Sequence, residues 1–282
     1  MLSRSSNPSR RDFLATGLAA GTLALGGRWA TAAAAPAFQE SDYGPFKVGL
    51  QSYSLRHYDL PETLRKLKQL GLHHCESYSK HTEPDPKRAA GYKAAAAAAG
   101  VTFGGFGVSG FSKDHDANRR YFEFGKALGV KYLSADPDRD AFDSLDKLVE
   151  EYDIAIGIHP HGPGAKWVKI DQIHDAIKGH SDKIGICLDT GHLLRANEDP
   201  TRAAEVFGKR IYGVHLKDVK AAKTFTVLGE GDLKLGEFMQ ALAKLKYDYV
   251  VALEYEENES NPIPDIEKCL KAIKNSLDTV KA

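Results

Sequence analysis

The chain has 282 residues, 42% hydrophobic and 27% charged, enough apolar material for one large core or two small ones. Its 38 basic and 38 acidic residues cancel to +0, with a pI of about 7.2, which points away from nucleic acid or an anionic membrane as partner. Cys75, Cys187 and Cys269 lack CxxC spacing, so a thiolate zinc site is not expected, and Cys187, inside an apolar run, reads as a small buried hydrophobe.

The first 35 residues read as a targeting segment. Arg10-Arg11-Asp12-Phe13-Leu14 precedes an apolar stretch to Leu25 and a small-residue run, Ala30 to Ala35. That order of charged, apolar and small residues is a signal peptide, and the paired arginines fit the twin-arginine form. The stretch is rich in Gly, Ala and Thr, a poor permanent membrane span. The expectation is an exported, periplasmic protein with a folded domain over 36–282.

From residue 47 onward, short apolar runs alternate with helical patterns. Lys47–Tyr53 is the first expected strand, and Leu60–Leu70 is a helix with Pro61 at its start and Gly71 at its end. His73–Glu76 is the second strand, followed by the alanine-rich helix Pro86–Ala99. Val101–Phe106 and Asp116–Leu128 form the third pair, and Val130–Ala135 and Asp140–Tyr152 the fourth. Ile154–Ile158 leads into His159 and is followed by a helix over Asp171–Gly179. Ile186–Asp189 precedes Pro200–Phe207, Ile211–His215 precedes Lys234–Leu245, and Val250–Glu254 precedes a last helix, Pro264–Val280. Eight strand–helix units in about 240 residues, without hairpin runs, predict a single (β/α)8 TIM barrel. An open doubly wound sheet is the alternative, but it gives no reason for ligand-type residues on four consecutive strand ends.

Those four strand ends carry the chemistry. His159, Asp189, His215 and Glu254 each follow or close a buried apolar run, so in a barrel they converge at the carboxyl-terminal rim. Each alone is more often a satisfied polar residue, and Asp189-Thr190-Gly191 could simply cap a helix. Together, two carboxylates at one point would repel unless a cation neutralised them. The expectation is one divalent metal, Mn²⁺ first, with Zn²⁺, Co²⁺ or Mg²⁺ as alternatives, on His159, Asp189, His215 and Glu254. His161, two residues past His159, faces the same side as a second ligand, substrate contact or proton carrier. Lys217 is a candidate cation or proton donor and His192 a substrate contact. Gln51, Glu76 and His81 are expected to line the rim from earlier strands.

Leu188-Asp189-Thr190-Gly191-His192, Val214-His215-Leu216-Lys217-Asp218, Leu228-Gly229-Glu230-Gly231-Asp232 and Leu253-Glu254 together resemble the xylose isomerase-like barrels, in particular their sugar phosphate isomerase/epimerase branch. The resemblance runs from about residue 46 to the end. It implies a TIM barrel with one divalent metal held by Glu, Asp, His and Glu. Asp189, His215 and Glu254 fall on the last three, and His159 stands where the first glutamate would be. Ala165 and Ala221 stand where the ketose epimerases tend to carry an acid and an arginine. The resemblance implies an isomerase or epimerase acting on a small sugar or keto-sugar through an enediolate, with Glu254 as base and His161 or Lys217 returning the proton. A lyase, a hydrolase and a non-catalytic exported sugar-binding barrel are the alternatives.

Overall fold

The computed structural model describes residues 38–279, so the expected signal segment lies outside the described residues. Eight parallel strands close into a barrel: β1 Lys47–Gln51, β2 His74–Ser77, β3 Thr102–Phe111, β4 Tyr132–Pro137, β5 Ala155–Ile158, β6 Ile184–Asp189, β7 Ile211–Leu216 and β10 Val250–Leu253. Closure comes where β1 pairs with β10, Leu50 opposite Leu253. Between β7 and β10 a short antiparallel hairpin, β8 Asp218–Lys220 with β9 Thr224–Thr226, stands apart from the barrel. The helices are α1 Leu60–Leu70, α2 Pro86–Ala98, α3 His115–Leu128, α4 Phe142–Tyr152, α5 Ile170–Ala176, α6 Thr190–Arg195, α7 Pro200–Phe207, α8 Leu235–Lys244 and α9 Ile263–Ser276.

Local chemistry explains the elements. In α1, the Asp59 carboxylate accepts the Glu62 N–H at 2.9 Å, Pro61 sits in the first turn, and Gly71 ends the helix at φ 73°. Leu64, Leu67 and Leu70 then fall on one face and are buried against the barrel, each contributing roughly 1.5–3 kcal/mol. The strands β5, β6, β7 and β10 are buried along their whole length, as parallel strands covered on both faces must be. Inside the barrel, the Tyr132 ring fits because Gly105 and Gly213 face it. A Cβ on Gly105 would lie 2.3 Å from its Cζ, and one on Gly213 2.7 Å from its Cε2. The phenol thereby reaches across to Glu76.

Several boundaries differ from the sequence expectation, each for a local reason. β1 stops at Gln51 rather than Tyr53, because the Gln51 side chain accepts the Tyr53 N–H at 3.0 Å and starts a 3₁₀ turn. β3 runs on to Phe111, five residues past the apolar run, through a glycine-rich segment that reads as loop. α9 ends at Ser276 and passes into a 3₁₀ turn, and Val280 lies outside the described residues. The helix α6 and the β8–β9 hairpin were not expected as elements; both follow strand ends at the functional rim. Among the described residues, no helix is long and apolar enough to cross a membrane.

Candidate metal centre and active site

Strand register brings the four expected donors together. Asp189, the last residue of β6, lies directly opposite His215 of β7, and His215 lies opposite Ala252 of β10, two residues before Glu254. His159 follows β5 by one residue. Donor atoms of His159, Asp189, His215 and Glu254 all lie within 4.8 Å of one another, and all four residues are buried. His159 Nε2 is 3.3 Å from Asp189 Oδ2, and His215 Nδ1 is 3.2 Å from Glu254 Oε2.

Both ring nitrogens of His159 and of His215, Asp189 Oδ2 and Glu254 Oε2 are buried without a hydrogen-bond partner. Buried polar atoms are rarely orphaned, and a cluster of them on two imidazoles and two carboxylates is the donor set that a divalent transition metal uses. Ligands held about 2.0–2.2 Å from one ion stand roughly 3–3.5 Å from each other, the separation seen for the two closest pairs. The residues therefore fit a metal.

The cluster is supported from below. Glu76, fully buried on β2, places Oε1 3.0 Å from His215 Nε2, in ion-pair range although not aligned as a hydrogen bond. The same carboxylate accepts from Tyr132 Oη at 2.6 Å, from Gln51 Nε2 at 3.0 Å and from Ser134 Oγ. A carboxylate behind a metal-binding histidine fixes its ring and tautomer. Glu76 was expected to line the rim; the structure puts it beneath the cluster and off the cavity wall. His81 is likewise displaced from its expected role. Its Nδ1 meets Ser52 Oγ at 2.9 Å and its Nε2 meets the Tyr58 carbonyl at 3.0 Å, so it ties the β1 turn to α1 and does not line the cavity. Cys187 also lies within reach of Glu76 and His215, but burial pushes its thiol up to about 12, so it stays protonated.

Above the cluster opens a cavity of about 410 Å³. Gln51, His159, His161, His192, Lys217 and Glu254 line it as expected from the sequence, joined by Tyr53, Tyr78, Arg195, Phe225 and Glu256, which sequence reasoning missed. Lys217 Nζ lies 2.9 Å from Glu254 Oε2 and 3.3 Å from Asp189 Oδ2, and it also donates to Glu256. Its stem crosses the start of α6 at Gly191, where a Cβ would come 2.9 Å from Lys217 Cγ. Burial alone would lower the Lys217 pKa, but Asp189, Glu254 and Glu256 outweigh it and keep the ammonium charged. Burial pushes Glu254 upward, yet Lys217 and His215 hold its carboxyl well below the usual range. Burial lowers His159 to about 3 and His192 to about 4, so both imidazoles are neutral near pH 7.

The Asp189 carboxylate has two tasks. Oδ1 accepts the His192 N–H at 2.6 Å and caps α6, while Oδ2 faces the donor cluster. The capping alternative and the ligand geometry thus coexist in one side chain. Asp218, the first residue of β8, accepts the backbone N–H groups of Gly229, Gly231 and Leu233 at 2.9–3.0 Å and so ties the loop after β9 back to the hairpin, which carries Phe225 to the cavity wall.

A closed parallel barrel with a buried mixed His/carboxylate cluster at its carboxyl-terminal mouth defines a TIM barrel with a candidate metal site. Residues 64–276 match the xylose isomerase-like TIM barrel family, and the chain belongs to it. It is 24% identical over 226 residues to an inosose dehydratase of Mesomycoplasma hyopneumoniae, covering 64% of this chain and 75% of the relative. It is 30% identical over 155 residues to an inosose dehydratase of Bacillus thuringiensis, covering 47% of this chain and half of that relative's length. A solved sugar phosphate isomerase/epimerase of Parabacteroides distasonis shares the fold, with a TM-score of 0.65 at 18% identity over 83% of this chain and 94% of that one.

Proposed function

We propose that this chain is a metal-dependent, sugar-modifying enzyme that removes a proton beside the carbonyl of a keto-sugar or related polyhydroxy ketone and then eliminates water. The observation that carries the reading is the buried cluster of His159, Asp189, His215 and Glu254, whose facing atoms make no hydrogen bond, with His159 and Glu254 on the wall of the cavity. A divalent ion there, Mn²⁺ or Zn²⁺ by donor chemistry, would supply Lewis-acid polarisation of the substrate carbonyl.

The chain's own residues would do the rest. Glu254, ionised and on the cavity wall, takes the α-proton. The electron pair released forms the new double bond and expels the β-hydroxyl. Lys217, charged and 2.9 Å from Glu254, gives that leaving oxygen its proton, so that water departs. His161 and His192 line the cavity as contacts for the remaining hydroxyls. Both carboxylates on the cavity wall, Glu254 and Glu256, come from the loop after β10, and the β5 side offers His159 and His161 instead. Proton transfer by carboxylates is therefore one-sided, which supports elimination over two-faced epimerisation. The kinship with proteins named for dehydration supports the same choice. Isomerisation shares the first step and is favoured where His161, across the cavity, returns the proton to the neighbouring carbon.

The test is hydrogen–deuterium exchange at the carbon beside the carbonyl, in D₂O, with keto-inositol and keto-sugar substrates. Wild type should exchange and release water, and Glu254→Gln should lose about 10²–10⁴-fold in rate. Turnover that leaves the original hydrogen at that carbon in place would overturn the enolate reading and favour hydrolysis.

A further inference from the structure

We infer that the cavity is built for a substrate carrying an anionic group, a carboxylate or a phosphate, on a carbon remote from the reacting carbonyl, and that Arg195 binds it. The inference rests on the proposed reaction for the position of the carbonyl.

Arg195 closes α6 and lines the cavity, half-buried. Its guanidinium packs over the Phe225 ring, 5.1 Å from the centroid, and one nitrogen, Nη1, approaches His192 Nδ1 at 3.4 Å. Arg56, Arg65, Arg88, Arg119, Arg202 and Arg210 each pair with an acidic side chain. Arg195 makes no such pair among the described residues; Arg120 and Arg139 make none either, but neither of them lines the cavity. The other cation of the cavity, Lys217, is already engaged by Asp189, Glu254 and Glu256 and has no charge to spare. A planar guanidinium stacked on an aromatic ring is held in one orientation, and its free donors match two oxygens of a carboxylate or phosphate.

The position fixes where on the substrate the charge lies. The His192 ring separates Arg195 from the donor cluster, standing 5.7 Å from the His159 ring on one side and in contact with Arg195 on the other. An anion beside Arg195 is thus spaced from the carbonyl by at least the width of an imidazole. That suits a sugar acid or a terminal sugar phosphate and does not suit a 2-keto acid.

Binding to the Mn²⁺-loaded full chain, by titration calorimetry, tests this with D-glucuronate, D-glucose 6-phosphate and D-glucose as probes. At least one anionic probe should bind about tenfold or more tightly than glucose, the worth of one charge-assisted pair. Arg195→Ala should abolish that preference while glucose binding stays the same, and Arg195→Lys should restore part of it. Preference for glucuronate alone assigns a carboxylate, and preference for the phosphate alone assigns a phosphate. Equal binding of all three probes, no binding of any, or an unchanged preference in a folded, metal-loaded Arg195→Ala protein would overturn the inference. Deuterium exchange by the wild type on a neutral keto-sugar reads the proposed reaction, and the anionic-over-neutral preference reads this inference, so the two fail separately.

Discussion

Replacing Glu76 by Gln should weaken metal binding about 10–100-fold while the barrel stays folded. The magnitude follows from what surrounds the carboxylate. Glu76 is fully buried, 3.0 Å from His215 Nε2, and also accepts from Tyr132, Ser134 and Gln51. Glu76 holds the His215 ring through an ion pair and not through an aligned hydrogen bond, and a neutral Gln leaves the ring without that restraint. The lost charge facing the metal-binding histidine adds to that. Gln keeps the volume and one acceptor oxygen for Tyr132 or Ser134. Ala would leave both hydroxyls unsatisfied at about 1–3 kcal/mol each and would confuse metal loss with unfolding. Competition titration of Mn²⁺ and Zn²⁺ against a chelator gives the affinity, and circular dichroism checks the fold. A folded Glu76→Gln protein that binds both metals within twofold of wild type would refute the idea that Glu76 orients His215.

Asp189→Ala and His159→Ala should each abolish stoichiometric metal in elemental analysis, and chelation of wild type should lower its melting temperature. The chelated protein should lose stability as pH falls from about 6.5 towards 4. His159 and His192 bind protons in the unfolded chain through that window but refuse them when buried, so the unfolded state gains on acidification. Denaturant midpoints that stay level from pH 7 to 5 would contradict this, and His192→Asn should flatten part of the slope. Asp218→Ala strips three backbone N–H groups of the loop after β9, those of Gly229, Gly231 and Leu233, of their acceptor and should cost more than about 2 kcal/mol in stability and raise KM. Changing Arg10 and Arg11 together to Lys should retain the precursor in the cytoplasm, measured by cell fractionation; full export of that variant would refute a twin-arginine signal.

The barrel was legible because apolar runs such as β6 and β7 alternate with helical patterns, and helices such as α1 carry their own start and stop in Asp59, Pro61 and Gly71. The convergence of His159, Asp189, His215 and Glu254 was legible for the same reason: in parallel strands, ends share one rim. Glu76 reads as a strand end in the sequence, and there the rule misleads, since β2 runs on to Ser77 and Tyr132, admitted by Gly105 and Gly213, donates to the carboxylate from inside the barrel. Phe225 and Arg195 escaped notice because a three-residue strand and a six-residue helix have too little periodicity to read. Their approach to the cavity is set by tertiary contacts, the Asp218 anchor and the Asp189 cap. The one available signal was Asp189-Thr190-Gly191 itself, a helix start that implies a helix carrying His192 and Arg195.

Because one oxygen of Asp189 holds the first turn of α6 and the other faces the donor cluster, ion binding and α6 share a single hinge point. Any displacement that draws Asp189 towards a bound cation also drags the helix that presents His192 and Arg195 to the cavity. A cation bound there and a ligand gripped at its distal end would therefore be thermodynamically linked: whatever factor the cation adds to ligand affinity, the ligand returns to cation affinity. Retention of the ion should in consequence be strongest when the cavity is full, and an empty protein should be the form that surrenders it to a chelator.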